Sequence, residues 1–295
     1  MSRNEGRTDI FDTTPEDADV TAAVAPQMPP HHPSGNEAPP MAWSVPSEFV
    51  SLPSRGAFYP SDHPLYNQDT LEIRYMTAKE EDILSSRALL KEGLALDRML
   101  QSVIVDRRVD VDTLMIGDKN ALLVAARITG YGEEYVTSMT CPSCGNTDDH
   151  TFDISEPMVS DHESALEQFG VTQTPHNTFL IELPMTQATV ECKLLTSQDE
   201  MNLVKDLQRK AKHKQQSTST TDQFRSFIIS VNGDDSPLTR ISFINTMPAR
   251  DARYLRTVYR EITPNIDLTH TYVCNECQYE AALEVPLTTD FFWPK

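Results

Sequence analysis

Four cysteines in two C-x-x-C pairs are the residues of this chain with the clearest chemistry. Cys141 and Cys144 lie in Thr-Cys-Pro-Ser-Cys-Gly, and Cys274 and Cys277 lie in Val-Cys-Asn-Glu-Cys-Gln. Two thiolates on one tight turn face the same way, and two such turns complete a tetrahedral zinc shell. Four sulfur ligands leave no open position for water or substrate, so this chemistry is structural, not catalytic. The competing readings are four unrelated thiols or two local disulfides. Local C-x-x-C disulfides serve redox catalysis in a thioredoxin-like βαβ setting, and neither pair has one. Cys192 is a different case: it alternates with Val190 and Leu194 and reads as a buried apolar thiol. His150 could replace a cysteine ligand, but a solvated imidazole at a strand end is favoured.

Each cysteine turn needs a strand on either side. Runs near 135–140 and 150–154 flank the first, and runs near 270–273 and 279–285 flank the second. Together they predict a zinc ribbon with halves at 135–160 and 268–295, separated by an inserted module at 161–267. Closing a long loop costs only slightly more entropy than closing a short one. Zinc at such a site contributes on the order of 10 kcal/mol to folding. The metal is therefore expected to staple the base of the insert and to fix its angle to the preceding helical region.

That region, 43–134, reads as a mainly helical domain. It opens with Phe49–Pro60, where large apolar side chains alternate with Pro53, Gly56 and Pro60; a compact loop with positive φ at Gly56 is expected. Leu71, Ile73 and Tyr75 alternate as a strand. Thr77-Ala78-Lys79-Glu80 is a capping box for a helix running to about Lys91 and stopping near Gly93. Leu96, Met99, Leu100, Val103 and Ile104 make an amphipathic stripe. A third helix covers roughly Asp118 to Thr129, buries Leu122, Ala125 and Ala126, and ends at Gly130.

The insert reads as α+β. Phe179, Ile181 and Leu183 alternate on one strand and Val190, Cys192 and Leu194 on the next, with Pro184 in the turn between them. Ser197-Gln198-Asp199-Glu200 is read as a second capping box, opening a helix with Leu203, Val204 and Leu207 on one side. A helix after Asp222 carries Phe224, Phe227, Ile228 and Val231 and stops at Asn232-Gly233. The last helix takes Pro248 at its first position, carries Leu255, Val258, Tyr259 and Ile262, and ends before Pro264. The fold class is thus α+β: N-terminal helices, a four-cysteine zinc ribbon, and an α+β module between its knuckles.

The chain has 295 residues, 39% hydrophobic and 23% charged, which suits a globular protein. Its net charge of -19 opposes bulk attraction to nucleic acid or an anionic membrane. No run reaches the ~20 apolar residues of a membrane span, and no secretory leader is read at the N-terminus. A reducing compartment follows, where C-x-x-C pairs bind metal. Residues 1–42, dense in proline and poor in large apolar side chains, read as disordered, and His31-His32 within them as solvated. Asp148, Asp149, Asp153, Glu276 and Glu280 surround the ribbon and would repel phosphate. The basic segment Lys205, Arg209, Lys210, Lys212, His213 and Lys214 reads as a solvated helix end, with docking of an acidic partner as the alternative. No nucleophile elbow, H-E-x-x-H or phosphate-cradling glycine loop is present, so nothing supports catalysis.

Several stretches in succession resemble the baseplate (hub) protein family of T-even-type contractile-tailed bacteriophages. They are Leu52-Pro53-Ser54-Arg55-Gly56 with Phe58-Tyr59-Pro60; Met76-Thr77-x-x-Glu80-Glu81-x-Ile83-Leu84; Gly117-Asp118-Lys119-Asn120; and Tyr131-Gly132-Glu133-Glu134-Tyr135 followed by Cys141-Pro142-Ser143-Cys144. The likeness covers roughly 45–290; the proline-dense tail is outside it. It implies a non-enzymatic component of the tail baseplate, or a factor that assembles its hub, with other baseplate or hub proteins as partners. The host cytoplasm during assembly is then the expected location, and the virion tail for a permanent subunit. Docking residues are expected at Leu52, Arg55, Phe58, Tyr59, Lys210, Lys212, Phe292 and Trp293, although the aromatic C-terminus Asp290-Phe291-Phe292-Trp293-Pro294-Lys295 is favoured to fold back on the ribbon strands over anchoring a partner. The rival readings are a zinc-ribbon nucleic-acid binder centred on 205–214 and a metal-dependent enzyme.

Overall fold

Thr77 begins the first helix as the sequence requires: Glu80 reaches back to its backbone N–H at 2.9 Å and closes the capping box. The computed structural model describes residues 44–155, 158–212, 219–285, 287 and 289–292. The tail through Trp43, with His31 and His32, lies outside the described residues, as do His213, Lys214 and Trp293.

Strands β1 (Ser47–Ser51) and β2 (Thr70–Arg74) pair antiparallel and are joined by the 52–69 loop. Gly56 turns that loop at φ +70°, and a Cβ there would lie 2.4 Å from the Gln68 nitrogen. The expected helix to Lys91 is two: α1 (Ala78–Ser85) and α2 (Arg87–Glu92). Ser86 interrupts them at ψ 110°; serines compete with helix for backbone bonds, and α2 buries nothing that would hold the helix straight. Gly93 ends α2 in the left-handed region. Helix α3 (Ala95–Val103) buries the expected Met99, Leu100 and Val103. Helix α4 (Ile116–Tyr131) runs through Gly130, which packs on Met76, and stops at Gly132.

Hairpin β3 (Glu134–Thr140) and β4 (Thr147–Asp153) follows, then the short β5 (Met158–Val159), α5 (His162–Phe169) and β6 (Thr172–Gln173). Strands β7 (Thr178–Glu182) and β8 (Thr189–Lys193) form the hairpin expected in the insert. The capping box of α6 (Ser197–Lys212) is one residue earlier than expected. The Asp199 N–H bonds the Thr196 hydroxyl and the Asp199 carboxylate takes the Thr196 N–H. This frees Ser197 to be buried. Helix α7 (Ser219–Phe227) ends where a longer helix was expected, and Ile228–Val231 is instead strand β9 beside β8. Three of those four residues are β-branched, and Asn232-Gly233, both at positive φ, is a hairpin-type turn, not a helix stop. The antiparallel sheet therefore runs β6-β7-β8-β9.

Helix α8 (Pro237–Thr246) has Pro237 at its first turn and was not foreseen. Helix α9 (Ala249–Ile262) has Pro248 as N-cap and buries Leu255, Val258 and Ile262. Asp251 in its first turn accepts the Met185 and Thr186 N–H groups, fixing the β7–β8 turn. Strand β10 (Ile266–Asp267) pairs with β5, and β11 (Thr269–Val273) with β12 (Glu280–Glu284).

Two cores result. One gathers β2, α1, α3 and α4 with Tyr135, Phe152 and Ile154 near the foot of the β3–β4 hairpin and with Val285, Phe291 and Phe292. The other lies between the four-stranded sheet, α7, α8 and α9. Residues Val45–Lys295 form one compact unit.

One turn of α4 joins these parts. A Cβ on Gly117 would lie 1.9 Å from the Pro264 carbonyl oxygen, so only glycine fits there. Asp118 accepts from the Ser54 N–H and hydroxyl at 2.9 and 2.5 Å and from the Tyr59 hydroxyl at 2.7 Å. Lys119 pairs with Asp97 at 2.7 Å and Glu200 at 3.2 Å and donates to Ser197. Asn120 bonds Asn265. Backbone bonds Ile116 N–H to Leu195 and Ser197 N–H to Leu114 complete the seam.

Candidate metal centre

The two cysteine turns repeat one backbone pattern. In the first, the Cys141 N–H bonds the Asn146 carbonyl and the Gly145 N–H bonds the Cys141 carbonyl, at 2.8 and 2.9 Å. In the second, the Cys274 N–H bonds the Tyr279 carbonyl and the Gln278 N–H bonds the Cys274 carbonyl, at 2.9 and 3.0 Å. The residue after each second cysteine has positive φ: Gly145 at 73° and Gln278 at 58°. Each turn thus aims two sulfurs to one side, and the turns face each other. Asn275 donates to Asp148 at 2.8 Å and pins one to the other.

All four sulfurs lie within 4.8 Å of one another. The Cys141–Cys277 and Cys144–Cys274 separations are both 3.7 Å. A tetrahedron of sulfurs with zinc bonds of ~2.3 Å has edges of about 3.8 Å, so the set has the size of a thiolate zinc shell. The N–H groups of Cys277 and Glu276 point at the Cys274 sulfur and pull its thiol down to about 6. The Asn146 N–H favours a thiolate at Cys144 as well, but desolvation and the three neighbouring sulfurs push that thiol up to about 12. Four thiolates this close need a cation between them, and the donor set fits one. Cys141 and Cys274 are buried; Cys144 and Cys277 are exposed. The Tyr272 hydroxyl, buried without an oxygen or nitrogen partner, lies beside Cys274 and can donate to its sulfur. An ion here would hold the two hairpins together.

His150 is outside the sulfur set: its ring packs edge-on against Phe152 and Tyr272. Cys192 is fully buried in the insert core, and burial pushes its thiol up. The expected docking side chains divide. Leu52, Phe58, Tyr59 and Phe292 are buried inside this chain, so their apolar surface is covered by its own core. Phe291 packs against Tyr135, the fold-back expected of this segment. Arg55 is exposed and pairs loosely with Glu163 at 3.6 Å. Lys210 is held by Asp222, and Lys212 is exposed. Sequence reasoning missed the exposed arginines of α9, Arg250, Arg253, Arg256 and Arg260. Their helical spacing opposite the apolar stripe was the available signal. Among the described residues no helix is long and apolar enough to cross a membrane.

The family described as T4 bacteriophage base plate protein matches residues 49–293. The chain belongs to that family, and the match spans the core loop at 52–60, the α4 junction and both cysteine turns. No curated protein and no solved structure matches the chain.

Proposed function

We propose that the chain is a non-enzymatic component of the phage tail baseplate, at or assembling its hub, and that it works through protein–protein contacts. The family match over 49–293 carries this reading. The sulfur cluster supports the structural half of it: four thiolates would saturate a zinc ion and leave it no catalytic position. In this reading Cys141, Cys144, Cys274 and Cys277 hold one zinc, and the module at 161–267 is stapled at its base to the helical segment. The cytoplasm of the infected host is where it meets its partners.

Mass spectrometry of purified tails against assembly intermediates tests the reading. A permanent subunit appears in both at fixed stoichiometry, and an assembly factor in intermediates alone. Absence from both would overturn the proposal. Metal analysis of the same protein is expected to return one zinc per chain, lost in Cys141→Ser/Cys144→Ser.

A further inference from the structure

Helix α9 presents an arginine face in a strongly acidic protein. At 100° per residue, Arg253, Arg256 and Arg260 fall within about 60° of one another, opposite the buried Leu255, Val258 and Ile262. All three are exposed. Among the described residues Arg253 and Arg256 make no ion pair, and Arg260 has only its neighbour Glu261. The solvent face of the β3–β4 hairpin is its complement. Glu134 is opposite Asp153, and Ser138 opposite Asp149, which places all three carboxylates on one face with Thr140, Thr147 and Thr151. All three are exposed, and neither strand contains Lys or Arg. None of them makes an ion pair with Lys or Arg among the described residues.

We propose that the arginine face of α9 docks on the acidic face of the β3–β4 hairpin of a second copy of this chain. Lengths agree: 14 helical residues span about 21 Å and 7 strand residues about 23 Å. Arg253 and Arg260 are separated by a rise of about 10 Å, and Asp149 and Asp153 by about 13 Å. Guanidinium forks pair two-pronged with carboxylates, a geometry lysine lacks. A nucleic acid would meet the same arginines, but the net charge of -19 repels it from the surrounding surface.

The two faces differ, so copies pair either reciprocally about a two-fold axis, making both contacts at once, or head-to-tail into a ring or an open chain. Each face covers only a few hundred Å², well below the ~1,200 Å² of a stable complex, so a single contact is weak and salt-sensitive. Copies held side by side, or a closed ring, would raise its effective strength. The pairing depends on these two surfaces alone. A chain absent from tails could still self-associate, and a tail subunit could fail to, so this inference and the baseplate reading fail separately.

Sedimentation velocity of the full chain over a concentration series tests it. Association is expected at physiological salt and not at molar salt. R253E/R256E and E134K/D149K should each stay monomeric with unchanged melting temperatures, and an equimolar mixture should associate again. If a charge reversal melts early, R253Q/R256Q and E134Q/D149Q take its place, each expected to weaken association at least several-fold. A wild-type chain that stays monomeric, a reversal that associates as wild type does, or a mixture that does not recover would overturn the proposal. So would a mobility shift of a DNA fragment that R253E/R256E abolishes while self-association is unaffected.

Discussion

Phe58 and Tyr59 are adjacent in the chain and enter different cores. Phe58 lies against His162 and Phe179 of the insert, with ring centroids 5.8 and 5.7 Å away. Tyr59 enters the helical core, where its hydroxyl donates to Asp118 at 2.7 Å and accepts the Met115 N–H at 3.0 Å. Phe58→Ala is expected to cost about 3–5 kcal/mol and Tyr59→Phe about 1–3 kcal/mol. Native-state hydrogen exchange should show the first loosening β7 and β8 and the second loosening the start of α4. Equal loosening of both regions by either change would refute separate anchoring.

Gly117→Ala puts a methyl group within 1.9 Å of the Pro264 oxygen, and the atoms it meets are all backbone, which cannot swing aside. Relief requires α4 and the 263–266 segment to separate. We expect a loss of roughly 2 kcal/mol or more in urea unfolding, against a gain of up to about 1 kcal/mol for an exposed helical glycine.

Glu80 is buried, which alone would raise its carboxyl pKa. Hydrogen bonds from Arg74, Ser102 and Thr77 outweigh burial and hold it at about 2. The folded value lies below the unfolded one, so this stabilisation is full above about pH 4.5 and is lost as pH falls toward 2. Glu80→Gln should cost roughly 2–3 kcal/mol at neutral pH and flatten the acid limb of the stability profile. An acid limb as steep as wild type would show that another carboxylate carries it.

Removing the zinc we propose for the four-sulfur cluster should be a large perturbation, because ~10 kcal/mol of binding is comparable with the whole stability of a domain, ~5–15 kcal/mol. A strong chelator is expected to lower the melting temperature and to increase exchange in β3, β4, β11 and β12 before the four-stranded sheet. Cys192→Ser should retain one zinc per chain. A chelated chain that melts unchanged would count against a structural ion.

The cysteine spacing made the meeting of the four sulfurs legible before any coordinates, since two matched turns suit one shared cluster. The capping box at Thr77, the stripe of α3 and the β7–β8 hairpin were legible for the same reason: each is a local pattern with a local cause. Ile228–Val231 was not, because its pairing with β8 comes from a residue run far away in sequence; Asn232-Gly233 carried the hint of a hairpin. The buried charges of α4 were equally hidden. Asp118, Lys119 and Arg127 resemble solvated helix residues until their partners are known, and Arg127 is paired with the carbonyls of Phe291, Gly132 and Glu134 and, among the described residues, with no carboxylate.

The sulfurs that meet at the ribbon are made far apart in time. Cys274 follows Cys144 by 130 positions, which at ordinary elongation rates is on the order of ten seconds. Through that interval the nascent first turn has half of the four sulfurs, and a chain broken off anywhere before Cys274 never acquires the rest. With the ion we propose for this cluster, completion of its shell would report that the ribosome has read through the whole insert.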